Sequence, residues 1–176
     1  MANNCDYVMK IVGKQPDVEE LIARLTYEND KSFGRIFDLM EIDSKKHEGI
    51  YYYECCGDCA WSIYSSIIDV GENNVVAATK ELNLVIEIYS NECGCAFQEH
   101  YIISKGKTLK DECVDWQEWY YPELDDETKE HVCKLIGCSQ EELQKMAKEK
   151  DDYVSYGGFE NYGEWSDLTK LWLFDE

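Results

Sequence analysis

The chain has 176 residues, 17 Lys and Arg against 37 Asp and Glu, and a formal net charge of −20. That length fits one domain, or one domain with an appendage, and a content of 44% hydrophobic and 13% aromatic residues excludes a wholly disordered polyanion. A field of this sign repels phosphate, which argues against direct binding to nucleic acid or an anionic membrane and for attraction to basic protein surfaces. The first residues, Met1 to Asp6, lack the basic and apolar runs of a signal peptide, and no stretch approaches the ~20 apolar residues of a membrane span. The expected location is therefore the cytoplasm. Nine cysteines, an odd number, in a reducing compartment point to free thiols or a metal site rather than disulfides.

In chain order, Cys5 to Val12 alternates with apolar residues on both sides, as a central strand does, and Gly13 ends it. Pro16 suits a first helical position, the acids Asp17, Glu19 and Glu20 suit a helix start, and Val18, Leu21, Ile22 and Leu25 form one apolar helix face. Arg35 to Asp43 and Gly49 to Cys56 read as strands joined by a polar hairpin loop at 44–48. Asp58 reads as the N-cap of a short helix with Trp61, Tyr64, Ile67 and Ile68 on one face. A polar turn at Gly71 to Asn74 then leads to a strand over Leu82 to Tyr89. Phe97 to Ser104 and Leu109 to Tyr120 read as two further strands around a turn at Lys105-Gly106-Lys107.

The order β-α-β-β-α-β is that of the ferredoxin-like fold. The expectation is an α+β protein with that antiparallel sheet, two added strands and a C-terminal helical appendage. Residues 1–122 form the main domain and 123–176 an acidic, helical and aromatic-rich extension. Within the extension, Gly137 reads as a helix stop and Ser139 with Glu142 as a capping box, giving a helical hairpin. Its acidity argues against a DNA-binding helix-turn-helix. Seven aromatics from Tyr153 to Phe174 carry too much apolar area to stay free, so the tail should pack on the domain.

Three short stretches resemble the YubB-type ferredoxin-like proteins encoded on plasmids and phages. They are Asn3-Asn4-Cys5, then Gly57-Asp58-Cys59-Ala60-Trp61-Ser62, then Glu92-Cys93-Gly94-Cys95-Ala96-Phe97-Gln98-Glu99-His100-Tyr101, the last similar to a Glu-x-Gly-x-x-Phe motif. The similarity spans about residues 1–121. It implies a phage or mobile-element origin, and with it a host-cell cytoplasm, but the family has no established activity and no catalytic residue carries over. The cysteines at 55, 56, 93 and 95 and the acidic extension depart from the pattern.

Cysteine chemistry has two readings. Cys56-x-x-Cys59 and Cys93-x-Cys95 supply four thiolates, the soft donor set of tetrahedral zinc; Cys56-Gly57-Asp58-Cys59, after a strand and before a helix, also has the setting of a redox pair. Against both stands the plain reading of small, half-buried apolar residues. A Cys95, His100 and Glu99 nucleophilic arrangement meets a geometric objection, because neighbours on a strand point to opposite faces. His100 then reads as a surface residue of a strand.

Acids crowd residues 111–130, where Lys129 is the one base. Calcium would need a 12-residue loop with alternating ligands and a central Gly, which is missing. The stretch reads either as a solvated face or as a surface that imitates the charge spacing of a nucleic-acid backbone. In the second reading Asp111, Glu112, Asp115, Trp116, Glu118, Trp119, Glu123, Asp125, Asp126, Glu127 and Glu130 contact a partner, the aromatics adding the residue types enriched at interfaces. The leading expectation is then a non-enzymatic phage-type protein with no cofactor. It would block a basic, nucleic-acid-binding host protein such as a defence nuclease, in the manner of anti-CRISPR or anti-restriction proteins. The alternatives are a zinc- or thiol-dependent protein built on the 55–59 and 93–95 cysteines, and a binder of small ligands in a groove between the sheet and the C-terminal aromatics.

Overall fold

A computed structural model gives the fold and describes residues 4–26 and 35–174, Phe174 by its backbone only. Strand β1 (Asn4–Gly13) leads to helix α1 (Gln15–Leu25), with Pro16 in its first turn as expected. Strands β2 (Met40–His47) and β3 (Ile50–Ala60) form a hairpin whose turn is only Glu48-Gly49, both at positive φ. Ser44 to His47, read from sequence as loop, are therefore strand; two residues with φ > 0 match the twist of the paired strands, so no longer loop is needed.

Residues 57–60 do not open a helix: they continue β3, in register with Asn4 to Tyr7 of β1. Trp61 then turns with φ of 68°, a single π turn covers Tyr64–Ile68, and the crossover helix α2 is Val75–Glu81. The side chain of Asn74 caps α2 by accepting from the Ala77 N–H. Gly57 is required within β3 because a Cβ there would run into the Asp38 carbonyl, the same carbonyl that accepts a 2.9 Å hydrogen bond from the Tyr7 hydroxyl.

The remaining elements are β4 (Val85–Glu92), β5 (Phe97–Ser104), β6 (Lys107–Tyr120), α3 (Asp126–Ile136), α4 (Gln140–Glu149), β7 (Tyr153–Gly157) and α5 (Leu168–Phe174). The result is an α+β protein with an open seven-stranded sheet in the order β2-β3-β1-β4-β5-β6-β7, antiparallel at every pairing. Three strands follow the first four, not two. The third, β7, comes from the aromatic tail and pairs with the second half of β6, whose first half pairs with β5. No helix among the described residues is long and apolar enough to cross a membrane.

Alternation splits the sheet into two faces. One buries Tyr7, Met9 and Ile11 of β1, Ile86 and Ile88 of β4, and Ile103 of β5 against Val18, Leu21 and Leu25 of α1 and Val75 and Ala78 of α2. Each buried Val, Leu, Ile or Met side chain among them contributes roughly 1.5–3 kcal/mol by leaving water. Buried Arg24 ties α1 to α2 by a two-pronged pair with Glu81, both contacts 3.0 Å, and bonds Glu20 one turn back on its own helix. The other face is covered by the chain's own C-terminal segment: Leu168 of α5 packs on Val12, Ile50 and Val85, with Leu171 and Trp172 beside it. Polar ties hold it there, from the Trp172 indole N–H to the Asn83 carbonyl (2.8 Å) and between the Tyr52 and Thr169 hydroxyls (2.9 Å). A second, smaller core joins the β6–β7 ribbon to α3 and α4 through Trp119, Val132, Leu143, Ala147 and Val154. The capping box at Ser139 and Glu142 forms as read, and Gly137 ends α3 in the left-handed conformation.

Candidate functional site

Two regions place chemically capable side chains together. The first is the β6–β7 ribbon. Its register sets Trp116 opposite Gly157, Glu118 opposite Ser155 and Tyr120 opposite Tyr153, so these share one face, while Trp119 and Val154 face α3 and α4. On the outward face the Tyr120 and Tyr153 rings touch, centroids 5.2 Å apart, and remain 39% and 44% exposed. Exposed Glu118 adjoins them, and the chain leaving the ribbon carries exposed Glu123, Asp125, Asp126 and Glu127. Asp125 also caps α3, accepting from the Thr128 N–H at 2.7 Å, and this bond together with the Thr128 hydroxyl holds its carboxyl below the ordinary range. Glu130 pairs with Lys134 at 3.0 Å, and Glu112 with Lys110 at 3.2 Å.

The eleven residues read as a contact strip therefore separate. Strand alternation puts Asp111 and Asp115 on the face of β6 opposite to that of Glu112. Trp119 packs into the second core, and Trp116 is half-buried beside a cleft that it shares with Cys95, Asp115, His131 and Tyr156. Tyr153 belongs with the exposed aromatics and was not marked by the sequence, because its pairing with Tyr120 spans 33 positions.

The cysteines are arranged otherwise than their spacing implies. On β3, Cys59 lies on the helix-covered face and is buried, whereas Cys56 lies on the opposite face, so Cys56-x-x-Cys59 is not a redox pair. Cys5 and Cys59 are the true neighbours: they face each other across β1 and β3, and the hydrogen bond between their thiols, then burial, pushes Cys5 well above the usual thiol range. Cys93 and Cys95 sit exposed in the β4–β5 turn, whose N–H groups at Gly94 and Cys95 donate to Glu92. Among the described residues no three His, Cys, Asp or Glu side chains converge as metal ligands, so the four cysteines are not assembled into one shell.

The second region lies under the C-terminal segment. Tyr89 pairs with His100 across β4 and β5, and Glu87 is the diagonal neighbour of His100. His100 is 3% exposed and Glu87 0%, which corrects the reading of His100 as a surface residue. The His100 Nε2 lies 2.7 Å from Glu87 Oε1, and the Ser166 N–H (2.7 Å) and hydroxyl (2.9 Å) also donate to Glu87. Both carboxylate oxygens of Glu87 are thus engaged, Oε1 by His100 and the Ser166 hydroxyl and Oε2 by the Ser166 N–H. Tyr89 stacks on His100 at 3.8 Å and Phe159 meets it edge-on at 5.7 Å; Tyr162 and Trp165 pack on Tyr89 in turn. Between these side chains and Lys110, Glu160, Asn161 and Glu164 opens a cavity of about 510 Å³. Glu99 points to the other face, where it accepts from the Ile63 N–H (2.8 Å) and the Ser90 hydroxyl (2.7 Å), so Glu99, His100 and Cys95 do not meet. The side chain that orients His100 lies 13 positions upstream and carries no local signal.

No family model matches the chain, and no curated protein or solved structure matches it.

Proposed function

We propose that this protein acts without catalysis, docking the acidic and aromatic outer face of its β6–β7 ribbon onto the basic, nucleic-acid-binding surface of another protein and blocking it. The observation that carries the reading is the exposed Tyr120–Tyr153 pair set beside Glu118 and followed by Glu123, Asp125, Asp126 and Glu127. Water does not favour two large rings left open on a short ribbon, whereas tyrosine flanked by charge is the composition of a contact centre with a polar rim. The charge of −20 would speed encounter with a basic partner and set its orientation, and the rings would supply lasting affinity.

The strand order β2-β3-β1-β4, with α1 after β1 and α2 after β3, supports a ferredoxin-like reading of the first four strands and, through it, kinship with the YubB-type proteins of plasmids and phages. On that reading the partner is a host defence nuclease and the protein an anti-CRISPR or anti-restriction factor that works in the host cytoplasm. The test is capture from host lysate at low salt by the wild type and by a Tyr120→Ala, Tyr153→Ala double variant. The expected result is a basic nucleic-acid-binding protein retained by the wild type, lost by the variant and released by competing duplex DNA. Identical capture by both proteins, or no competition by DNA, would overturn the reading.

A further inference from the structure

The cavity beside His100 shares no lining residue with the outward face of the ribbon, and its composition differs from that of the rest of the surface. We propose that it binds a small organic cation, an ammonium or guanidinium group held between the aromatic walls and the carboxylates at its mouth. Three features support this. The walls include the half-buried aromatic side chains of Phe159 and Trp165, whose π electrons attract cations. That attraction already operates in this cluster, where the Lys10 ammonium stands 5.7 Å from the Trp165 ring centre.

The mouth is negative. Lys110 is the one cation lining the cavity, and Glu112 neutralises it at 3.2 Å. Among the described residues Glu160 and Glu164 have no ion-pair partner and are exposed, so their charge is available. Burial, and then the carboxylates of Glu87, Glu164 and Glu112, push the Tyr89 phenol up to about 12.

The floor, finally, is held in place: His100 Nε2 lies 2.7 Å from Glu87 Oε1, and Tyr89 and Phe159 pack on the imidazole ring. A carboxylate or phosphate ligand would meet Glu160 and Glu164, an unfavourable set for any anion. The cation has two sources, a free amine or a Lys or Arg side chain offered by a partner protein, and the chemistry is the same for both.

The experiment titrates the protein with agmatine, with spermidine and with N-acetyl-arginine amide, following the indole N–H resonance of Trp165 by NMR. The expected result is saturable binding at roughly 0.1–1 mM for at least one amine, weakened about tenfold in a Glu160→Gln, Glu164→Gln double variant. Glutarate should leave the resonance in place. Tighter binding of agmatine or spermidine than of the arginine amide identifies a free amine as the ligand, and the reverse identifies a presented side chain. Because both glutamates are exposed, the variant keeps its fold, which the dispersion of the same spectra verifies. Absence of saturation up to about 10 mM of every amine, equal binding by the double variant, or equal binding of glutarate would overturn the proposal.

Discussion

The two faces of the sheet are built on different principles. The face under α1 and α2 is an apolar core drawn from six elements, and its deep carboxylate Glu99 accepts from the Ile63 N–H and the Ser90 hydroxyl. The face under the C-terminal segment mixes an apolar half, around Leu168, with a polar half, around Glu87 and His100. The first specifies the fold. The second is closed by a strap whose polar attachments leave a cavity with an oriented histidine on its floor. Two glutamates twelve positions apart on neighbouring strands thus act differently: Glu99 rigidifies a loop, and Glu87 holds both a ring and the strap.

Mutations sharpen the contrast. The largest effect is expected from Ile86→Ala, about 3–4 kcal/mol of lost stability in denaturant unfolding, with the strap as resistant to protease in the remaining native protein as before. Next comes Glu87→Ala, which leaves the buried His100 Nε2 without its partner and removes the acceptor of two bonds from exposed Ser166, at about 2–3 kcal/mol. It should also expose the chain near 158–167 to limited proteolysis, and Glu87→Gln should do so less. If Glu87→Ala left the cleavage pattern unchanged, Glu87 would not hold the strap and the contrast between the faces would fail.

Smaller effects concern the helical hairpin. Ser139→Ala removes the N-cap of α4 and should cost about 1 kcal/mol, read as faster amide exchange in 139–149 and not in β1 or β4. Acid should act on the same region. The carboxyls of Asp125 and Glu142 are held below their ordinary values by the bonds from Thr128 and Ser139, so each stabilises the fold above its ordinary value and ceases to do so as pH falls through its lowered one. Amide protection in α3 and α4 should therefore decline below about pH 4, before that of the sheet. The smallest effect on stability, within about 0.5 kcal/mol, is expected for Tyr120→Ala with Tyr153→Ala, although this pair should have the largest effect on partner binding.

Much of this architecture was legible in local patterns. Alternation marked β1 and β4, a polar stretch and a glycine turn marked two hairpins, and Ser139 with Glu142 marked a helix start to the residue. Helix α2 was missed because Val75 and Val76, β-branched residues after a Gly–Asn turn, carry little helical propensity, and Asn74 capping and packing against the sheet decide the matter. The extension of β3 from Gly57 to Ala60 was missed because a Gly-Asp pair resembles a strand end; its pairing with β1 overrides that signal. The site was less legible still. Which of Trp119 and Tyr120 faces outward depends on where β7 lands, and the partner of His100 depends on the β4–β5 register. Both are long-range facts that no short window contains.

The central claim is that the open ring pair and its acids are a docking surface. It is tested most directly by measuring how much of a captured basic partner the Tyr120→Ala, Tyr153→Ala variant retains relative to wild type at equal protein and low salt. The account predicts a loss of at least about tenfold, the equivalent of about 1.4 kcal/mol, with unfolding stability unchanged. Undiminished capture by a stably folded variant would contradict it.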